Sequence, residues 1–263
     1  MKKLGFLLCL IAFSSVFCAA QRQSVKSIES NTFEARIYEK DGKRMPYRLF
    51  VPAHYDKNKK YPLVLWLHGG AGRGGDNEKQ ISGGNAPGAT VWTTRESQAR
   101  NPAFVLAPQC PPGESWSAIN DAERKPSKHL ETVVELLRDL RKEYGGIDAD
   151  RLYVAGQSLG GYGAWALITE YPEMFAAAIP LCGGGNAAKA KNLVNVSIWA
   201  FHGDEDKAVD VKESRKMIEA VRKAGGNPKY TEYKGVGHAV WERAFAEPEL
   251  LPWVFAQKRR SGK

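Results

Sequence analysis

Cysteines, long apolar runs and repeats are all scarce in this chain of 263 residues. It contains four cysteines, and no group of histidines and cysteines has the spacing of a metal site, so we expect no metal. Beyond the N-terminus, no segment is long and apolar enough to cross a bilayer. The chain also lacks an internal repeat and a low-complexity linker, which predicts one domain rather than several.

The one long apolar run lies at the N-terminus. Two lysines precede residues 4–17, which are mostly apolar, and small residues follow this run. This combination is typical of a secretory signal peptide. We therefore expect residues 1–20 to be a signal peptide, residues 21–263 to be the mature domain, and the protein to be secreted or periplasmic. A lipid anchor at Cys18 is the alternative, which the bulky Phe17 before it disfavours.

Basic residues outnumber acidic residues, 38 to 29. Removal of the signal peptide with its two lysines leaves a net charge of +7, which is 38 − 2 − 29. The charges are spread along the chain, and the only dense run, Lys258-Arg259-Arg260, lies at the C-terminus. The excess charge therefore predicts a solvated surface and no nucleic-acid partner.

Two of the cysteines leave with the signal peptide, so Cys110 and Cys182 remain. An exported compartment would permit a disulfide between them. Each follows a predicted strand, and the two strands are expected to lie three places apart in the sheet, which is too far for a disulfide. We expect two unpaired thiols.

Short apolar runs alternate with helical patterns along the chain. Nearly continuous apolar runs are typical of strands that are covered on both faces of a parallel sheet. Five runs have this character: Leu63–Leu67, Ala103–Ala107, Leu152–Ala155, Ala177–Leu181 and Ser197–Phe201. Residues 32–40 and 47–52 instead alternate apolar and polar side chains, which predicts an antiparallel pair at a sheet edge.

Helical spacing of apolar residues fills the gaps between these strands. One stripe runs over residues 130–144 and another over residues 211–221. Residues 229–233 follow as a last strand and residues 248–257 as a last helix. The order predicts an α/β fold with a single doubly wound, mostly parallel sheet, helices on both faces and no large lid domain.

A serine flanked by glycines follows one of the predicted buried strands. Gly156-Gln157-Ser158-Leu159-Gly160 separates that strand from a helical pattern. A serine at the apex of a sharp strand-to-helix turn needs small residues two positions away on either side. The pattern therefore favours Ser158 as a nucleophile over an ordinary helix-capping serine.

A serine nucleophile needs a base, and the chain has five histidines. His68 and His202 directly follow buried strands, where a structural role is expected, while His54 and His129 lie in polar surroundings. His238 lies in a glycine-rich loop after the last strand, downstream of the serine and of the candidate acids. This is the chain order expected on such a sheet, so we choose His238.

The base needs a carboxylate that orients it, and four acidic residues follow Phe201. Asp206 lies far enough beyond the strand to turn back across its edge, which favours it. Asp204 is the first alternative, although a role in stabilising the loop suits it better. Asp210 is the second, although it is well placed to cap the next helix.

Backbone N–H groups must stabilise the oxyanion that forms during acyl transfer. We expect one from Leu159, directly after the serine, and one from Gly70, with Ala71 as the alternative. The loop that contains Gly70 also fits the Gly-x-Gly-x-x-Gly pattern of dinucleotide sites. Residues 82–88 after it cannot continue as an apolar helix, so we expect no cofactor.

Together these motifs resemble the α/β-hydrolase superfamily. Within it they are similar to secreted bacterial esterases of the feruloyl/acetyl-xylan esterase and polyhydroxybutyrate-depolymerase-like group, which is related to dienelactone hydrolases and prolyl oligopeptidases. The resemblance covers about residues 33–255 and implies that Ser158, Asp206 and His238 are the nucleophile, acid and base. The segments that carry it are His68–Asn77, Leu106–Pro111, Gly156–Gly160, Phe201–Asp206 and Gly237–Trp241.

The resemblance implies a serine carboxylesterase that acts through an acyl-enzyme. Residues 182–195 contain no apolar lid, and residues 69–102 are polar and glycine-rich, which favours an open cleft for soluble or polysaccharide-linked esters. We expect Trp116, Gln157 and Trp241 to contact the substrate, with Trp92 as a further stacking candidate. A serine peptidase of the prolyl-oligopeptidase-like type and a non-catalytic carbohydrate-binding protein are the alternatives.

Overall fold

Eight strands form one sheet in the computed structural model, which describes residues 32–259. Their order across the sheet is β1-β2-β4-β3-β5-β6-β7-β8, with the first two pairings antiparallel and the others parallel. The strands are β1 Glu34–Lys40, β2 Lys43–Phe50, β3 Tyr61–Leu67, β4 Phe104–Pro108, β5 Ile147–Gln157, β6 Ala177–Leu181, β7 Ser197–Gly203 and β8 Lys229–Tyr233. The predicted signal peptide lies outside the described residues.

Seven α-helices accompany the sheet in the described part of the chain. They are α1 Ala86–Thr90, α2 Arg95–Arg100, α3 Lys128–Glu143, α4 Leu159–Glu170, α5 Lys212–Lys223, α6 Trp241–Phe245 and α7 Leu250–Phe255. The start of α3 shows how the sequence sets a boundary, because the Ser127 hydroxyl accepts a hydrogen bond from the Leu130 N–H. None of these helices has the length and hydropathy that a bilayer span requires.

The core lies on both faces of the sheet, as the continuous apolar runs predict. All seven residues of β3 are buried. Leu63, Leu65 and Leu67 belong to the cluster that also contains the apolar stripes of α3, α4 and α5. Val64 and Trp66 belong to the opposite cluster, which is built with α6 and α7. A strand that alternates between two apolar layers cannot slip by one residue without exchanging the two faces, so the strand ends are fixed in position.

The elements differ from the sequence prediction in two places. β5 begins at Ile147, earlier than the apolar run suggested, because Ile147 already pairs with Tyr61 of β3. Regular pairing with β3 continues from Leu152, after a register shift. Residues 69–102, predicted as a polar rim, contain α1, α2 and several short 3₁₀ turns. Cys110 and Cys182 are both buried and carry free thiols, and they follow β4 and β6, which lie three places apart.

Candidate active site

Ser158 stands at a strained turn between β5 and α4. Its backbone has φ +54° and ψ −115°, in the left-handed half of the map, which a side chain-bearing residue adopts at a cost of about 1–3 kcal/mol. Its N–H donates to the Leu181 carbonyl at 2.8 Å. A Cβ at Gly156 would collide with the carbonyl of Gly160, and one at Gly160 would collide with Leu67. The two glycines are therefore required by the close approach of backbone to backbone.

His238 bridges Ser158 and Asp206, although the three residues come from three different loops. Its Nδ1 lies 2.7 Å from Asp206 Oδ2, and its Nε2 lies 2.9 Å from Ser158 Oγ. An ionised carboxylate only accepts hydrogen bonds, so Nδ1 carries the hydrogen and Nε2 is left to accept the serine hydroxyl hydrogen. This is the arrangement in which an imidazole can take a proton from a serine.

The Asp206 carboxylate is held on both oxygens. Oδ1 accepts hydrogen bonds from the N–H groups of Ala208 at 2.8 Å and Val209 at 2.9 Å, while Oδ2 faces His238. Burial raises the pKa of Asp206, but the hydrogen bonds from His238, Val209 and Ala208 outweigh it and hold the pKa below its usual value. The group is therefore an anion at neutral pH.

The two alternative acids occupy the places that the sequence suggested for them. Asp204 accepts a hydrogen bond from the Gly235 N–H at 2.7 Å and so joins the two loops at this edge. Asp210 accepts from the Lys212 N–H at 2.9 Å at the start of α5. Neither makes a hydrogen bond to His238 in the described structure.

Backbone N–H groups line the side of the cleft that faces Ser158. Gly70 begins a 3₁₀ turn whose own bonds start at the N–H of Gly72, which leaves the N–H groups of Gly70 and Ala71 outside the turn's hydrogen bonding. Both residues line the same cleft as Ser158. Leu159 is the first residue of α4, so its N–H also precedes the bonded part of a helix. That these N–H groups form an oxyanion hole stays a prediction.

The cleft at Ser158 has a volume of about 280 Å³. Gln157 and Trp241, both expected to contact substrate, line it, and the Trp241 ring lies edge-on to His238 with centroids 5.6 Å apart. The Gln157 amide donates to the Gly84 carbonyl at 3.0 Å and to Asn85 Oδ1 at 3.2 Å. Substrate contact by Gln157 and Trp241 stays a prediction.

Trp116 does not lie in the cleft, and its expected contact with substrate has to be corrected. The side chain is fully buried, its ring packs edge-on against His68 with centroids 5.0 Å apart, and its N–H donates to the His68 carbonyl. Trp92 is also fully buried, with its N–H on the Gly88 carbonyl. The spacing of loop tryptophans does not reveal which rings the loops fold over, so the sequence could not separate these two from Trp241.

His68 and His202 are both fully buried. His68 Nδ1 donates to the Gly69 carbonyl at 2.6 Å, and Nε2 accepts from the Cys110 N–H at 3.0 Å. Burial lowers the pKa of His68 to about 4 and also lowers the pKa of His202. Neither ring is bonded to Ser158 in the described residues, which fits the structural role expected for them.

One residue of this edge has no signal in the sequence. Asn85 is buried, and its Oδ1 accepts from the Gly69 N–H at 2.9 Å as well as from Gln157. Its Nδ2 donates to the Lys79 carbonyl at 3.0 Å. It therefore ties the loop that carries Gly70 to the residue directly before Ser158. An isolated asparagine in a glycine-rich loop is read as turn chemistry, so only the fold shows this role.

Cys182, His202 and Asp206 are the one group of potential metal-binding side chains that lie close together in residues 32–259. Their polar atoms are already engaged in hydrogen bonds: Cys182 with the His238 carbonyl, His202 with Ser214 and Val209, and Asp206 as described above. The Gly70–Gly72 turn is a single 3₁₀ turn and not the helix that a dinucleotide site requires. The absence of a metal and of a cofactor stays a prediction.

Comparison with known proteins adds the family. Residues 39–253 match the family model named Esterase. The solved structure of a thermostable esterase shares 41% identity and superposes with a TM-score of 0.83 over 87% of this chain and 64% of that chain. A ferulic acid esterase shares the fold, with 20% identity and a TM-score of 0.65 over 85% of this chain and 97% of that one.

Two of the sequence relatives are more distant and much longer. A secreted protein of Arthroderma benhamiae that has not been characterised is 24% identical over 82% of this chain and 25% of its own length. A bifunctional acetylxylan esterase/xylanase of Neocallimastix patriciarum is 25% identical over 66% of this chain and 23% of its own length. This chain thus spans about a quarter of each of these relatives.

The family model covers most of the chain. It includes every strand from β2 to β8 and the residues Ser158, Asp206 and His238. The mostly parallel sheet with helices on both faces agrees with the structural neighbours, which confirms the predicted fold class. The chain belongs to the Esterase family and has its α/β-hydrolase fold.

Proposed function

We propose that this chain is a serine carboxylesterase in which Ser158 is the nucleophile, His238 the base and Asp206 the acid. The observation that carries the proposal is the pair of hydrogen bonds, 2.9 and 2.7 Å, by which His238 joins Ser158 to Asp206. Membership of the Esterase family supports the same activity.

In this mechanism His238 Nε2 takes the proton of the Ser158 hydroxyl while Oγ attacks the ester carbonyl. The N–H groups of Gly70 and Leu159 hold the oxyanion of the tetrahedral intermediate. His238 then gives the proton to the leaving alcohol, and an acyl-enzyme on Ser158 remains. A water molecule, deprotonated by His238, releases the acid in the second half. Asp206 stays ionised throughout and stabilises the imidazolium.

For the substrate we propose a soluble or polysaccharide-linked ester. The cleft is bounded largely by glycine-rich main chain and by Trp241, so it offers little side-chain bulk against a polymeric alcohol. The residues after β6 form a short 3₁₀ segment, Ala187–Leu193, and not a lid. An acetylxylan esterase and a ferulic acid esterase among the relatives and neighbours favour acetyl and feruloyl groups.

We further propose that residues 1–20 direct export and that residues 21–263 are the exported catalytic domain. The charged start and short apolar run of the N-terminus support it. A relative is named as a secreted protein, which agrees.

The experiment that tests the proposed activity is the turnover of p-nitrophenyl acetate by the Ser158→Ala variant. We expect a loss of activity by at least about 10⁴-fold, since the nucleophile is gone and only the oxyanion donors and binding remain. Ser82→Ala, an exposed serine of the glycine-rich loop, is the matched control and should keep full activity. Undiminished turnover in Ser158→Ala would end the proposal.

The same preparations separate the alternatives. A peptidase would hydrolyse a p-nitroanilide at a measurable rate as well as the matching p-nitrophenyl ester, whereas an esterase would hydrolyse only the ester. A carbohydrate-binding protein without activity would hydrolyse neither.

A further inference from the structure

A second histidine, besides His238, lies in contact with the Asp206 carboxylate. His202 lies at the end of β7, four residues before Asp206, and is fully buried. Its Nε2 lies 3.2 Å from Asp206 Oδ2 and 3.0 Å from the Val209 carbonyl. Both oxygens only accept hydrogen bonds, so Nε2 must carry a hydrogen, which bonds to the Val209 carbonyl while Nε2 stays in close contact with Asp206 Oδ2.

The other nitrogen of His202 is fixed by a buried serine. Nδ1 lies 2.8 Å from Ser214 Oγ, and Oγ lies 3.0 Å from the Gly183 carbonyl. Burial lowers the pKa of His202, which favours the neutral ring. A neutral ring with its hydrogen on Nε2 can only accept a hydrogen bond at Nδ1. The single hydrogen of the buried Ser214 hydroxyl is then shared between His202 Nδ1 and the Gly183 carbonyl.

These contacts extend the row Ser158–His238–Asp206 by two members, His202 and Ser214, into the core. Asp206 Oδ2 therefore lies close to two imidazole nitrogens, Nδ1 of His238 at 2.7 Å and Nε2 of His202 at 3.2 Å. A positive partial charge near Oδ2 stabilises the ionised carboxylate and makes it less basic. The N–H group of His202 therefore lowers the basicity of the carboxylate that accepts a hydrogen bond from His238. It also fixes the carboxylate plane together with the N–H groups of Ala208 and Val209.

We propose that His202 is a positioning residue: its Nε2–H holds the Asp206 carboxylate in place and limits how strongly that carboxylate stabilises the imidazolium form of His238. The inference rests on the proposed function, since it concerns the pH dependence of that reaction. The resemblance assigned His202 no part in it, and position alone predicted a purely structural histidine.

The other charged and titratable groups near His202 do not replace this contact. Cys182, directly after the neighbouring β6, bonds through its thiol to the His238 carbonyl, and burial raises its pKa, so it stays neutral. Glu232, opposite His202 on β8, is paired with Arg215 through two hydrogen bonds of 2.9 and 2.6 Å. The pair is partly exposed, so it acts on His202 only through solvent-screened charge.

The first test is made on the unmodified chain. The ¹⁵N chemical shifts of its histidines distinguish the two neutral tautomers from the charged ring. We expect His202 to be neutral with its hydrogen on Nε2 at neutral pH. A hydrogen on Nδ1, or a charged ring, would overturn the proposal, because the donor to Asp206 would be absent or of a different kind.

The second test compares kcat/KM for p-nitrophenyl acetate against pH in His202→Phe and His202→Gln. Phenylalanine fills the ring site but cannot donate, so the acid limb should move up by about half a pH unit and kcat should fall about tenfold, with KM within about twofold. Glutamine keeps an N–H donor and should restore the position of the limb. An unmoved limb in a folded Phe variant would show that His202 is only structural.

Failure of the proposed function and failure of the His202 inference can be told apart. Should His202→Phe fail to fold, the tautomer of the unmodified chain can still overturn the proposal, and a position of the acid limb in His202→Gln equal to that of the unmodified chain supports it. An unmodified chain that hydrolyses no ester would end the proposed function and would leave the tautomer result standing. An active chain with the hydrogen of His202 on Nδ1 would end this inference alone.

Discussion

Two loops at the active-site edge begin with the same dipeptide, His-Gly, and use the histidine differently. In the β3 loop, residues 68–77, His68 bonds only to main chain, the Gly69 carbonyl and the Cys110 N–H. In the β7 loop, residues 202–210, His202 bonds to the Ser214 hydroxyl and the Val209 carbonyl and contacts the Asp206 carboxylate at 3.2 Å. The β3 loop thus shapes a backbone surface, whereas the β7 loop places a charged side chain.

The β3 loop and the β7 loop should therefore tolerate different amino-acid substitutions. A loop that offers N–H groups depends on what anchors its backbone, and a loop that offers a carboxylate depends on the donors around that carboxylate. Substitutions in the β7 loop should therefore act on the chemical step, while substitutions around the β3 loop should act on stability and on the placement of the oxyanion donors.

The largest effect is expected in the β7 loop. Asp206→Asn should lower kcat for p-nitrophenyl acetate by about 10⁴-fold, because an amide leaves the tautomer of His238 unspecified and its imidazolium unstabilised. Asp204→Asn is the matched control and should stay within about threefold, since asparagine keeps a side-chain oxygen that can accept from the Gly235 N–H. A larger loss in Asp204→Asn than in Asp206→Asn would reverse the assignment of the acid.

The β3 loop should reveal itself in the acid stability of the fold. The folded chain keeps His68 neutral down to its pKa of about 4, whereas an unfolded histidine takes up a proton below about 6.5. The unfolded state binds more protons in this window, so His68 alone should lower the free energy of unfolding by about 3 kcal/mol as the pH drops from 6.5 to 4. Urea unfolding at several pH values measures it.

Variants isolate the contribution of His68 to this slope. His68→Gln lacks the titrating ring, so the loss between pH 6.5 and 4 should shrink, leaving the part of the same sign that His202 contributes. The exposed His54 provides the control, and His54→Gln should keep the slope of the unmodified chain. An undiminished slope in His68→Gln would show that other groups carry the acid sensitivity.

A smaller effect is expected from the anchor of the β3 loop. Asn85→Ala removes the acceptor of the Gly69 N–H and should lower kcat by about 10–100-fold, since the neighbouring oxyanion donors are no longer held at hydrogen-bond distance. KM should change little, and Asn85→Asp, which keeps the accepting oxygen, should recover part of the loss.

The control for this substitution is Asn192→Ala. This substitution likewise removes an asparagine amide, here with one hydrogen bond to the Thr169 carbonyl, but on the 3₁₀ segment after β6. It should keep full kcat. Equal losses in the two variants would mean that the Asn85 effect is one of general stability.

Much of this edge could be predicted from the sequence because local constraints specify it. Gly156 and Gly160 predict the sharp turn at Ser158, since only glycine tolerates the close backbone contacts at these two positions. The order of serine, acid and histidine then follows from the alternation of strands and helices. Asp204 and Asp210 were separable from Asp206 by their positions relative to the strand and to the next helix.

The remaining features depend on contacts between segments far apart in the chain. Trp116 and Trp241 look alike as loop tryptophans, and only the packing of the loop after β4 over His68 buries the first. Asn85 acquires its role because the chain folds back to Gly69, 16 residues earlier. His202 was interpreted as structural because position alone cannot show that its ring faces the carboxylate four residues later.

The most direct measurement of the central claim is the site of reaction with a fluorophosphonate, located by mass spectrometry. If Ser158 is the nucleophile, it should be the single modified residue in the unmodified chain. In His238→Gln, where the base is gone, the modification should be slower by orders of magnitude. Modification at another residue, or an equal rate in His238→Gln, would contradict it.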